Sequence, residues 1–263
     1  MTPDEWGARQ AAHEARVDAL TADHLERAAR GIKHPVEDFL FSYYSHRPAK
    51  LRRWSPGAGV ELIGYPGPQP WLEEPPARLE WVVTLLERTA ARPAVLGCFG
   101  LHEWAMVYRE ERRHAEPLRL GESGTAAVVE AQPLVCTHHD AFRFFTEAAR
   151  PLNAHQPTRA DQVRLEQPGC LHANMDLYKW SYKLSPWVPA ELVVDCFELA
   201  RRIRVLDMCA SPYDLSAYGY EPVRIETSEG RMSYQEQQRA FARQAADLRE
   251  RLLAAARPLV RTA

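Results

Sequence analysis

No stretch of this sequence approaches the roughly 20 consecutive apolar residues that a membrane-spanning helix requires. Cysteine is sparse: five residues, at 98, 136, 170, 196 and 209, with no Cys-x-x-Cys pair. That spacing gives no thiolate zinc cage, and a 263-residue chain has little need of a disulfide framework. A surplus of positive charge is missing too. Lys and Arg total 33 against 35 Asp and Glu, a formal net charge of -2, so affinity for a nucleic acid would need a local basic patch. Also absent are a P-loop, Gly-x-Gly-x-x-Gly, Gly-x-Ser-x-Gly, His-Glu-x-x-His and any Cys–His nucleophile signature. Phosphoryl transfer, dinucleotide redox chemistry and α/β-hydrolase chemistry therefore lack support. The first residues, Met-Thr-Pro-Asp-Glu-Trp-Gly, offer neither a basic n-region nor an apolar h-region, so a cytoplasmic protein with no membrane partner is expected.

What is present is a globular composition, 46% hydrophobic and 26% charged. The periodicity is mostly helical. Residues 3–31 are Ala-rich and charged, with Pro3 at the start and Gly31 as a stop. His34-Pro35 opens a second, aromatic helix. Residues 77–92 place Leu79, Val82, Val83, Leu86 and Ala90 on one face. Val95–Tyr108 reads as a buried helix, Pro189 opens a long one, and 232–256 form the last. Strand signals are few: Val60–Ile63, the ends of 117–136, and 223–227. The expectation is a mostly α chain with a small β element (α+β), in a single helical domain over 1–263, with a Pro/Gly-rich loop at 55–76.

The most informative stretch is Gly169–Lys183. A Gln-Pro-Gly turn precedes it and Ser185-Pro186 follows, so it predicts a helix of about four turns. Leu171, Met175, Tyr178 and Tyr182 form an apolar and aromatic stripe; His172, Asp176, Lys179 and Lys183 form a titratable one. Elsewhere, His138-His139-Asp140 sits at a strand-to-helix junction, where Asp140 suits an N-cap and the histidines suit a site. His102-Glu103-Trp104 lies in an apolar run, where charged groups are costly unless partnered. Lys50, Arg52 and Arg53 adjoin Trp54, a mixture that fits phosphate contact with base stacking, though surface ion pairs and core aromatics are the commoner reason for it.

Several long motifs carry a family resemblance. They are His34-Pro-Val-Glu-Asp-Phe-Leu-Phe-Ser-Tyr-Tyr44, Gly100-Leu-His-Glu-Trp-Ala-Met-Val-Tyr108, Cys136-Thr-His-His-Asp-Ala-Phe-Arg-Phe-Phe145, Gln167–Trp180 and Leu206–Leu215. Over nearly its whole length the chain resembles an actinobacterial family labelled 3-methyladenine DNA glycosylase. The departure is at 55–78, where the family's pattern is longer. The resemblance implies hydrolysis of the N-glycosidic bond of an alkylated purine in damaged DNA, without a cofactor. The chain has neither a helix-hairpin-helix turn nor a helical repeat of about 40 residues, so no catalytic residue carries over by motif.

Roles are therefore assigned by chemistry. Such a base leaves readily, and the enzyme must extrude it, stack it and stabilise an oxocarbenium-like sugar. The candidate catalytic groups are Asp176 with His172, then Asp140 with His139; Tyr178, Trp180 and Trp104 are stacking candidates; Arg52, Arg53, Lys179 and Lys183 are phosphate contacts. The rival reading is a metal-dependent enzyme acting on a small molecule, with divalent zinc or iron held by His138, His139, His102 and Glu103, and with His172 and Asp176 as further ligands. A third reading is a non-enzymatic helical ligand-binding module. The three diverge on one point: whether His102, His138, His139 and His172 converge.

Overall fold

In a computed structural model, which describes residues 1–110 and 115–260, the chain is helical throughout, joined by long loops. In order, the helices are α1 (Pro3–Ala29), α2 (Phe39–Tyr43), α3 (Pro48–Leu51), α4 (Leu79–Ala90), α5 (Leu101–Ala105), α6 (Gly121–Ala131), α7 (His139–Phe142), α8 (Gln162–Leu165), α9 (Leu171–Lys183), α10 (Ala190–Cys209) and α11 (Ser228–Ala256). The expected buried helix over 95–108 contracts to α5, one turn following the left-handed Gly100.

The small β element is a correction. Among the described residues only two isolated bridges occur, Leu118 with Tyr213 and Leu134 with Asn153. Side-chain amides take the place of neighbouring strands. The Gln69 amide accepts from Leu62 N–H at 2.8 Å and donates to Leu62 C=O at 3.0 Å. Asn153 does the same for Cys136, at 2.8 and 2.9 Å, and Gln167 for Val95, at 2.8 and 3.1 Å. In each case one side-chain amide meets both the N–H and the C=O of a single extended residue, as a neighbouring strand would.

Contacts divide the chain into two compact units. The first comprises Met1–Glu87, Met175–Arg201 and the chain from Ala246 onward; the second comprises Arg88–Asn174 and Arg202–Ala245. In the first unit, α1 starts in a capping box: Glu5 N–H donates to Thr2 Oγ1, and Thr2 N–H donates to the Glu5 carboxylate at 2.8 Å. Arg9 pairs with Glu191 at 2.9 Å, and Arg16 with Asp195 and Glu198 at 2.8 and 3.0 Å, which fastens α1 along α10. The Pro/Gly-rich loop is not loose. It closes on an apolar cluster of Trp54, Leu62, Trp71 and Ala190, with Trp6 and Tyr65 packed against it. Gly57 permits that closure: its φ is +92°, and a Cβ there would stand 3.0 Å from Pro189 Cδ.

In the second unit, Trp104 is fully buried and donates its indole N–H to Ala210 C=O at 2.8 Å. Arg92 reaches the carbonyls of Glu166 and Val163, at 3.0 and 2.8 Å, and so holds α8 and the turn before α9. Arg119 and Glu226 form a two-pronged ion pair at 2.9 and 3.2 Å.

Candidate functional site: a basic cleft and a buried histidine cluster

Each unit contains a concentration of chemistry. In the first it is a cleft of about 1020 Å³ between the segment at 45–55, the Pro/Gly-rich loop and the end of α9. Lys50, Arg52, Arg53, Arg78 and Lys183 line it, and among the described lining residues Glu14 is the one carboxylate. Arg52 is already committed, at 2.8 Å to Asp18 and 2.9 Å to Glu14. The side chains of Lys50, Arg53 and Arg78 have no hydrogen-bond or ion-pair partner among the described residues. Positive charge therefore outweighs negative in a concave site, a setting that concentrates anions. Planar groups share the walls: His46 stacks on Tyr182 with ring centroids 4.3 Å apart, and Tyr65 stands edge-on to Trp71 at 5.8 Å. Burial, aided by Lys50, pushes the His46 pKa down to about 4, so this ring is neutral at pH 7.

Deeper in the same unit, Asp176 is buried and doubly engaged. The Tyr44 hydroxyl donates to one oxygen at 2.9 Å, and the Lys179 ammonium sits 2.6 Å from the other. Burial, then the Asp176 charge, raises the Tyr44 pKa well above that of a free phenol, so Tyr44 stays a donor. Tyr182 donates back to Tyr44 C=O at 2.9 Å, which joins this buried group to the cleft wall.

In the second unit the histidines gather. The His102 and His172 rings stand edge-on at 4.4 Å, and His138 lies 5.4 Å from His172. Carboxylates stand at both ends: His102 Nε2 is 2.8 Å from Asp207 Oδ1, and His138 Nε2 is 3.4 Å from Glu166. The other Asp207 oxygen meets Arg204 at 2.7 Å, and Arg204 meets Glu103 at 2.8 Å. All of these side chains are buried. Burial, the largest single influence, would lower the His102 pKa, but the charge and hydrogen bond of Asp207, with Cys98, together outweigh it and hold the imidazole well above its usual range. Beside the rings is a cavity of about 20 Å³, lined by Cys98, Cys136, Cys170, His102 and His172 among others. That volume holds one small particle, such as a single water, and no organic substrate.

The sequence-derived candidates separate accordingly. Arg52, Arg53 and Lys183 line the cleft, while Lys179 is spent on Asp176. Trp180 is 6% exposed, flanked by the Lys179 and Lys183 ammonium groups at 4.5 and 5.3 Å. Tyr178 and Trp104 are both 0% exposed, so neither presents a face to a base. His172 and Asp176, one helical turn apart, are assigned to different units. His102, His138 and His172 converge; His139 points instead to Pro157 C=O, at 3.1 Å. Glu103 spends its charge on Arg204. Asp140 is not the N-cap of α7, a place taken by His138. It lies inside the first turn, 3.7 Å from Arg143.

Sequence reasoning missed Cys98, Asp207, Arg204 and Glu166 in the cluster, and Glu14, His46, Tyr65 and Arg78 in the cleft. One signal was available. Arg204 and Asp207 interrupt the apolar stripe of α10, and charges in a core stripe must find partners. No family model, no curated protein and no solved structure matches the chain.

Proposed function

We propose that the protein binds a nucleic-acid strand in the basic cleft of the first unit and, following the family resemblance, excises an alkylated purine there. The observation that carries this reading is the cleft's lining: Lys50, Arg53 and Arg78 without ionic partners beside the planar groups of His46, Tyr182 and Tyr65. Unpaired cations suit phosphates, and rings suit an extruded base. An alkylated purine is already a good leaving group, so the carboxylate requirement is modest. Glu14 faces the cleft and is the group we assign to stabilise the sugar cation. Asp176, held between Tyr44 and Lys179, braces the wall behind.

The test is paired. Salt-dependent binding of labelled DNA bearing 3-methyladenine, with release of the free base, is the expected result. Binding without base release would leave a nucleic-acid-binding protein and end the glycosylase assignment. Absence of both would end the whole reading.

The rival, a zinc- or iron-dependent enzyme acting on a small molecule, draws on the cluster of His102, His172 and Asp207, whose ligand atoms lie within 4.8 Å of one another. The 2-His-1-carboxylate composition suits iron. Against it stand the two commitments of Asp207 and a cavity of about 20 Å³, too small for a substrate beside an ion.

A further inference from the structure

The charge and the depth of the first unit's cleft select one form of nucleic acid, an inference that rests on the reading proposed for that same site. We infer that the cleft takes single-stranded DNA and discriminates against the duplex.

The number of available cations sets the first limit. Lys50, Arg53 and Arg78 line the cleft without ionic partners among the described residues, and Lys183 stands with them. Arg52 is held by Asp18 and Glu14. Such a set can meet about three or four phosphates. A duplex presents about one negative charge per 1.7 Å of its axis, roughly twice the density of a lone strand. It also continues past the mouth of a cleft, and this chain has little charge to hold it there. Lys and Arg total 33 against 35 Asp and Glu. The cleft lining takes five of the former and one of the latter, so the remainder of the chain is net acidic.

Depth sets the second limit. Lys50, Arg53 and Arg78 are exposed, whereas His46, Tyr65 and Tyr182 are half-buried. A base can stack on those rings only after leaving its own stack, with its phosphates kept at the more exposed cations. In a duplex that base must also give up its pairing partner; in a single strand it need not. Rings for the bases and cations along the backbone are the means by which sequence-tolerant single-strand sites hold their ligand. The ring wall is set in advance: His46 stacks on Tyr182 at 4.3 Å, and Tyr182 donates to Tyr44 C=O at 2.9 Å.

Fluorescence anisotropy of the full-length protein with a labelled oligonucleotide, offered single-stranded and then annealed to its complement, tests this. We expect the single strand to bind on the order of 10-fold more tightly, the worth of one stacked base. Log K should fall with log salt at a slope of about −2 to −3, as three or four contacts to a single strand require. Arg78→Ala should flatten that slope by about 0.7. Arg30→Ala, which removes an exposed cation outside the lining, should leave it unchanged. Duplex bound as tightly as the strand, a slope of about −5 or steeper, or a wild-type slope in Arg78→Ala overturns the inference. Failure of both forms to bind overturns it together with the nucleic-acid reading. Preference for the duplex with release of an alkylated base would overturn this inference and leave the glycosylase reading standing. Preference for the single strand without base release would do the reverse.

Discussion

His102 Nε2 and Asp207 Oδ1 lie 2.8 Å apart across 105 residues of sequence, both side chains almost wholly withdrawn from solvent. Arg204 shares the same carboxylate at 2.7 Å, so Asp207 is the common partner of two buried groups. Asp207→Ala should therefore strand the His102 imidazole and take from Arg204 one of its two carboxylates, leaving it Glu103. Removing one partner of a buried pair costs about 3–5 kcal/mol. Urea denaturation should show a loss of that size; a loss under about 1 kcal/mol would mean that water reaches the network.

Tyr44 and Asp176 offer a milder case in the first unit. Tyr44→Phe keeps the ring contacts and removes one hydrogen bond to a charged acceptor, a change of about 1.5–3 kcal/mol. Lys179 remains on the other oxygen, so the protein should still fold. Thermal unfolding that leaves Tm unchanged would show that the hydroxyl contributes nothing.

The cleft makes a prediction in which position along the chain matters more than charge. Arg53→Ala should weaken DNA binding and reduce the slope of log K against log salt by about 1, as loss of one phosphate contact requires. Arg52→Ala should have the smaller effect, because that guanidinium is held by Asp18 and Glu14. Fluorescence anisotropy across a salt series compares them; equal effects would contradict the assigned division.

His46 predicts a pH dependence. Its folded pKa, about 4, lies below the usual imidazole value of about 6.5, so the unfolded chain takes up the proton first as pH falls. Stability should decline progressively from pH 6.5 towards 4, and His46→Phe should remove part of that decline. Denaturation midpoints measured across this range check it; identical pH profiles for the two proteins would refute the assignment.

How far the sequence could be read depended on the range of the interactions. The long helices were legible because apolar spacing and caps are local: Thr2 with Glu5 starts α1, and the Gln-Pro-Gly turn precedes α9. The strands were misread for the opposite reason. A run such as Val60–Ile63 has strand composition, but its backbone meets the side chain of Gln69, and nothing in the run itself announces that partner. The family resemblance likewise named an activity without placing a catalytic group.

By itself the sequence determined a helical chain without a bilayer span, a basic segment at 50–53, and the histidines worth watching. Only the tertiary structure decided which of those residues share a neighbourhood. It set His102, His138 and His172 together and turned His139 away. It also brought in Cys98 and Asp207, which no local pattern connects. The physical reason is burial. A charged group removed from water must find a partner wherever the fold supplies one, and for His102 that partner lies more than a hundred residues away.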